Sequence, residues 1–338
     1  MGFVSNDYAV WLNGQNVTSR LDPLLTSIKA TRAADAAADT CDISLADADG
    51  RIALPGERAP VLVFINGARV FSGFVSDVTA SFGKGEGRTI DVSASSVQNG
   101  SKVTEPVLRS ADNLSFTDAA KQWGEKAGLS VTVAGSIASV TRPYWIMQNE
   151  SFMSWGQRMA REIGASFKIL GSEAYFVGVN EGISGSGKTL TPIDAVYGDN
   201  LISGSISPII SRPKFKNVEI SYFDVQKGRR VNVPVETGID DVDTALRTVI
   251  SAADEAEAKQ KAQAIGKQSD REKGGGSVVI LGAEYAEPEA ICNIRGVRPG
   301  VDGGYRIASV THELTKSGGF LSTLDIKQPQ GGAGTDTR

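Results

Sequence analysis

The sequence predicts a mainly β protein with an inserted α+β region, that is, two β modules flanking a small middle domain. Three observations carry this. Short alternating strands separated by Gly turns fill the first hundred residues; a helical period is confined to residues 104–180 and one later stretch; and a hairpin pattern from the first third returns near the C-terminus.

"YAVWLNGQNV" and "VLVFINGARVFSGF" each set Asn-Gly (Asn13-Gly14, Asn66-Gly67) between apolar runs, a strong short-range hairpin signal. "VSDVTASFGKGEGRTIDVSAS" adds a third hairpin, with Gly83, Gly85 and Gly87 at its turn. Many short strands with no helical period between them indicate a barrel or a sandwich. In "LSFTDAAKQWGEKAGL" the spacing of Phe116, Ala119, Ala120, Trp123 and Ala127 makes one apolar helix face. Ser115 with Asp118 resembles a capping box, and Gly128 fits the helix stop. After the strand "LSVTV" the plan repeats: Phe152, Trp155, Met159 and Ile163 share a face, and Gly164 closes the helix before another strand. These aromatic and Met stripes read as core.

From residue 181 strands return, interrupted by one helix, "AADEAEAKQKAQAIGKQ", whose charges are expected to coat a solvated face. "QPQGGAGTDTR" reads as a disordered tail. The segment from Gly73 echoes that from Gly304: a Gly and an aromatic, a strand ending Val-Thr, a Lys/Gly-rich turn and an alternating return strand. Val75, Val78 and Thr79 fall in register with Ile307, Val310 and Thr311. Two related modules are the economical reading, and convergent hairpin patterning is the alternative. The expected boundaries are 1–103, 104–180, 181–328 and a tail over 329–338.

Composition narrows the function classes. The 338 residues carry a net charge of −4, which lacks the basic footprint of a nucleic-acid binder. No apolar run approaches a membrane span, the start has no basic-then-apolar leader, and Asn6 stands where a myristoylation signal needs Ser or Thr. Asn16-Val17-Thr18 spells a glycosylation acceptor, expected to be chance without secretion. Two cysteines cannot build a disulfide framework or a zinc site; Cys41 and Cys292 each fall on the apolar face of a strand and read as buried free thiols, with a bridge as the lesser alternative.

"GISGSGKT", from Gly182 to Thr189, matches a phosphate-binding loop in spelling. Such a loop must open a helix, whereas "LTPIDAVYGDN" follows, with Pro192 and Gly198, so Lys188 is expected in a linker. His312, the one histidine, lies mid-strand without a nucleophile elbow and reads as a hydrogen-bonded strand residue. Asp240, Asp241 and Asp243 lack the glycine and distal glutamate of a calcium loop and read as a surface turn. No pair of carboxylates stands out for glycan cleavage. The sequence therefore offers no catalytic, cofactor-binding or metal-binding residue.

"GVRPGVDGGYRIASVTHELTKSGGFLSTLDIK", residues 296–327, resembles the C-terminal signature of the late control gene D family, baseplate hub proteins of contractile-tailed phages and phage-like particles. The matching elements are Gly296, Arg298-Pro299-Gly300, Asp302-Gly303, Tyr305-Arg306-Ile307, Val310-Thr311-His312 and Gly318-Gly319. Residues 17–55 resemble the family's first strands, residues 152–178 its middle domain, and "GSGKTL" its Ser/Gly/Lys stretch before the second barrel.

The resemblance implies tandem β-barrel domains of the phage tail hub type, related to the hub of type VI secretion spikes. It also implies a non-enzymatic homotrimer that matches a sixfold tail tube to a threefold central spike. Implied partners are the spike, the tube, baseplate wedge or adaptor proteins and a tape measure in the lumen, with no sequence-specific nucleic acid and no membrane anchor. The implied place is the virion baseplate, assembled in the host cytoplasm. The alternative function is a peptidoglycan-binding or lytic component, carried by the middle domain.

Overall fold

The computed structural model describes residues 7–84, 87–209, 215–236, 242–336 and 338. Asn6, Gly85, Asp240 and Asp241 lie outside the described residues.

The first region contains β1 (Tyr8–Leu12), β2 (Gln15–Asn16), a short helix α1 (Thr18–Leu21), β3 (Leu25–Ala33), β4 (Thr40–Ala46), β5 (Pro60–Ile65), β6 (Ala68–Gly83) and β7 (Gly87–Ser95). Asn13, Gly14, Asn66 and Gly67 all adopt positive φ, between 50° and 79°, so both Asn-Gly pairs form the mirror-image turns whose twist suits a hairpin.

The middle region holds β8 (Val107–Ser115), α2 (Phe116–Lys126), β9 (Ser130–Ala134), β10 (Thr141–Glu150), α3 (Phe152–Ile163), β11 (Ala165–Leu170) and β12 (Glu173–Gly178). The Ser115 hydroxyl accepts from the Asp118 amide at 3.1 Å, capping α2, and donates to the Asp118 carboxylate at 2.6 Å, in place of the reciprocal amide-to-carboxylate bond of a full capping box. Gly164 takes the left-handed conformation that ends α3. The two helical stripes meet in one core, where Trp123 and Trp155 stand 4.9 Å apart between ring centroids and Phe167 stacks on Phe176 at 4.4 Å. The antiparallel pair β8–β10 was not expected from sequence, because β8 is mostly polar and β10 contains Pro143.

After residue 181 come β13 (Ile193–Val196), β14 (Leu201–Ser207), β15 (Asn217–Asp224), β16 (Arg229–Glu236), β17 (Ala245–Ala252), α4 (Glu255–Arg271), β18 (Gly275–Leu281), β19 (Ile291–Arg295), β20 (Gly303–Thr315) and β21 (Gly319–Gln330). Strands β15–β17 stay out of the large sheet; they form a three-stranded sheet of their own, cored by Val218, Ile220 and Val233 against Ala258 and Ala262 of α4. The charges of α4 are only partly solvated. Arg142 sits 2.8 Å from Glu162 of α3 and 3.3 Å from Glu257 of α4, and Lys261 lies 2.8 Å from Glu257. This network joins the two α+β segments.

The remaining strands form one 13-stranded sheet, in the order β14-β18-β21-β20-β3-β4-β7-β6-β5-β1-β2, with β19 on β20 and β13 on β19. It encloses two separate hydrophobic cores, one around Ile28, Val63 and Val75 and one around Val278, Ile307 and Leu324. The strands β3-β4-β5-β6-β7 correspond in chain order and pairing to β14-β18-β19-β20-β21.

The correspondence holds residue by residue. Each first strand carries a register shift near its start, between Leu25 and Ser27 in β3 and between Leu201 and Ser203 in β14. Each long hairpin carries one between Val75 and Asp77 or between Ile307 and Ser309. The Val75 amide donates to Ala59 O and the Ile307 amide to Ala290 O, both at 2.9 Å. The Arg58 and Glu289 amides donate back to Val75 O and Ile307 O, and both residues hold positive φ, 63° and 72°. Bulges placed alike in paired strands are built features, and convergent hairpins have no reason to share them.

The chain end departs from the expectation of disorder. Pro329 and Gln330 extend β21, Ala333 is buried in the second core, and Asp336 pairs with Arg298 at 3.2 Å. Gly331 and Gly334, both at positive φ, fold these residues back onto the Arg298 turn.

Candidate functional site

The residues with catalytic spelling are spent on structure. Within 182–190 the Ser184 amide donates to Lys188 O at 2.7 Å, the Gly187 amide to Ser184 O at 2.9 Å and the Leu190 amide to Gly182 O at 3.0 Å. The amides that a phosphate loop aims at an anion thus close a tight turn, and β13 follows it instead of a helix. Asp243 is exposed, and among the described residues no group of three or more His, Cys, Asp or Glu side chains could hold a metal ion. No helix of the described residues is long and apolar enough to cross a membrane.

Cys41 and Cys292 are buried free thiols in separate cores, and burial raises both above the ordinary thiol range, Cys292 to about 12. The middle-domain aromatics Phe116, Trp123, Trp145 and Trp155 are fully buried in its core, so these rings are not a platform for a sugar.

The arrangement with functional content is the joint between the modules. Strands β3 and β20 pair antiparallel from Ser27↔Thr315 to Ala33↔Ser309, welding the first strand of one module to the fourth of the other. The core-facing pairs are Ile28↔Leu314 and Ala30↔His312; the outward pairs are Lys29↔Glu313 and Thr31↔Thr311, with hydroxyls 3.2 Å apart. Leu314 and Phe320 leave their own module and pack into the core of the first.

His312 is fully buried at this joint. Its Nδ1 lies 3.0 Å from the Ser322 hydroxyl, which itself donates to Gly282 O, so Nδ1 carries the proton and Nε2 has no hydrogen-bond partner among the described residues. Burial, and secondarily the Arg32 guanidinium, push its pKa down to about 4. Arg32 itself donates at 2.9 Å to Arg69 O and Val70 O, and Lys168 from β11 reaches Ala33 O at 2.7 Å and Asp39 at 2.6 Å, tying the joint to the middle region.

The sheet face turned away from both cores is rich in hydroxyls and carboxylates. Ser44 donates to Asp91 at 2.6 Å, Ser93 to Asp42 at 2.6 Å and Ser309 to Asp325 at 2.5 Å. Glu313 adds a further acid, with Lys29 opposite it.

The comparisons with solved structures follow this architecture. The 43 kDa tail protein of prophage MuSo2 from Shewanella oneidensis superposes with a TM-score of 0.72 over 95% of this chain and 98% of its own, at 17% identity. The tail protein from Neisseria meningitidis MC58 gives 0.69 over 96% and 97%, at 13% identity. This is the fold of phage tail hub proteins.

An Escherichia coli component of the type VI secretion system shares that fold, with a TM-score of 0.59 over 97% of this chain and 79% of its own, at 11% identity. In sequence, the chain is 23% identical over 199 residues to the probable baseplate hub protein of Escherichia phage P2, a stretch covering 57% of this chain and 50% of that one. The chain thus spans about half the length of the curated relative it matches. No protein-family model matches. The resemblance to baseplate hub proteins drawn from residues 296–327 agrees with this relative and these folds.

Proposed function

We propose that this chain is a structural baseplate hub of a contractile phage tail that works by assembly and has no catalytic activity. Three copies, each contributing two modules, close into a ring of six similar units related by rotations of about 60°. A sixfold tail tube and a threefold spike can then both find a matching surface. One observation carries the reading: the modules correspond down to register shifts, hydrogen bonds and left-handed residues, so each chain presents one docking unit twice.

The sheet ends give the ring a polarity. The α+β segments leave both modules at one end, beyond Ala33, Ser95 and Ser207, where Thr40 pairs with Ser95 and Ser207 with Gly275. At the other end lie the hairpin turn after Gly83 and its counterpart after Thr315. The turn-bearing rim, alike in both modules, suits the tube. The α+β end, one joined layer per chain, suits the spike and the wedge or adaptor proteins. The hydroxyl- and carboxylate-rich face lines the passage for tape measure and DNA, since like charge does not hold a polyanion.

We read the chain as a first barrel domain (1–103), an α+β domain (104–180) and a second barrel domain (181–328) into which β15–β17 and α4 are inserted. Its place is the virion baseplate, assembled in the host cytoplasm. Electron microscopy of the purified chain, alone and in the assembled tail, tests the reading. A threefold ring with six similar lobes is expected, and a monomer in the tail overturns it.

A further inference from the structure

The joint between β3 and β20 exists once in the chain, but the duplication supplies its two halves twice. The counterpart of β20 from Ser309 to Thr315 is β6 from Asp77 to Gly83. The counterpart of β3 from Ser27 to Thr31 is β14 from Ser203 to Ser207. Neither edge is taken: β6 over these residues pairs with β7 alone, and β14 with β18 alone, among the described residues. Both are exposed along most of their length, and among the described residues Phe82 is the most exposed large hydrophobic after Val225, at 82%. Its counterpart Leu314 is 7% exposed, because it lies in the core of the other module.

Laying the free edges together in the register of the existing joint pairs Thr79 with Ser207, Ala80 with Ile206, Ser81 with Ser205, Phe82 with Gly204 and Gly83 with Ser203. The pairs are complementary at each position. Facing the cores, the joint within the chain sets His312 against Ala30 and Leu314 against Ile28; in the new one both pairs, Ala80 against Ile206 and Phe82 against Gly204, set one large partner against one small. On the outer face the hydroxyl pair Thr311–Thr31 becomes Thr79–Ser207, and the charged pair Glu313–Lys29 becomes two serines. No like charges meet, and no two bulky groups compete for one space.

We propose that a second copy of this chain docks by adding Thr79–Gly83 of its β6 antiparallel to Ser203–Ser207 of β14, with Phe82 as the anchor entering the second module's core opposite Gly204. The proposal rests on the ring reading and names the contact that closes it. It also accounts for an exposed aromatic on a bare strand edge, a combination that otherwise invites aggregation.

The test is a cysteine pair, Thr79→Cys with Ser207→Cys, in the full chain under mild oxidation at high protein concentration. Cross-strand partners in this register bring their Cβ atoms within disulfide reach, as the 3.2 Å contact of Thr31 with Thr311 shows for the existing joint. Covalent dimers and trimers on a non-reducing gel are expected, and neither single variant should give the trimer. Adding Phe82→Asp should slow the cross-link at least tenfold, whereas Phe82→Leu, which borrows the side chain of Leu314, should preserve it.

Because Phe82 is exposed in the single chain, both variants should keep the parental circular dichroism and melting curve. Trimers by light scattering with no 79–207 cross-link overturn this register and leave the ring standing. A cross-link indifferent to Phe82→Asp overturns the anchor. Monomers with no cross-link overturn the contact as a self-sufficient one, and a monomer in the assembled tail as well overturns the ring with it.

Discussion

Leu314 and Phe82 hold the same position in two copies of one hairpin, and their surroundings could hardly differ more. Leu314 is buried in the core of a module other than its own, and Phe82 stands almost wholly in solvent. Neither the hairpin nor the local sequence explains the contrast, since both residues are large, apolar and one step from a tight turn. The difference is whether a partner edge is present. A joint completed inside the chain hides its apolar anchor, and the same joint left open displays it. Exposure here follows from the bare strand edge beside Phe82.

The largest effect should come from attacking the completed joint. Leu314→Asp places a carboxylate in the first core and is expected to lower stability by about 4 kcal/mol, whereas Phe82→Asp should change the single chain by less than ~0.5 kcal/mol. Urea midpoints of the two variants measure the contrast, and equal losses would break it.

The second handle is pH, through His312, whose counterpart Ala80 cannot titrate. A base whose folded pKa is depressed from 6.5 to about 4 stays neutral in the folded chain while the unfolded chain takes up a proton. Its contribution is therefore full above pH 6.5 and is lost progressively as pH falls toward 4, amounting to roughly 3 kcal/mol. Urea titrations at pH 7.5 and 4.5 should show this loss in the parent beyond that in His312→Leu. An identical pH response in the two proteins would contradict the assignment.

Smaller effects sharpen the comparison at Arg58 and Glu289, which share a left-handed backbone and an amide bond to the facing strand but differ in what their side chains meet. Glu289 is buried between Arg271, which donates to its carboxylate, and Arg306, so Glu289→Gly takes the Arg271 guanidinium's acceptor away and leaves two buried cations without their counter-charge, at a cost of about 2 kcal/mol. Among the described residues Arg58 pairs with its exposed neighbour Glu57 alone, so Arg58→Gly relieves backbone strain and should stabilise by about 0.5 kcal/mol. Thermal melts of both variants check the opposite signs. The same sign in both would mean that the backbone, and not the ion cluster, governs the position.

Much of this was legible in the sequence where the signal is local. Asn13-Gly14 and Asn66-Gly67 announce their turns, Ser115 and Gly164 bracket their helices, and Val75 and Thr79 echo Ile307 and Thr311 because facing a core from a long hairpin demands the same alternation. The first strands of the two modules carried no such echo. Strands β3 and β14 set Ile28 against Gly204 and Ala30 against Ile206, so their kinship lies in register and bulge position, which a linear pattern does not display. β8 hid behind polar residues, β10 behind Pro143, and the separate sheet of β15–β17 behind strands that read like any others. Phe82 carried no signal of its own, because only its counterpart's burial gives its exposure a meaning.

The weld between β3 and β20 unites residues such as Thr31 and Thr311, 280 positions apart along one polypeptide. A tethered encounter of this kind proceeds at an effective concentration on the order of millimolar, whatever the amount of protein present. Dilution therefore cannot loosen it, while any contact between separate molecules must weaken as they grow scarce. Half the closures of the proposed assembly would be guaranteed by translation alone, leaving three bimolecular meetings where six identical single-module pieces would require twice that number.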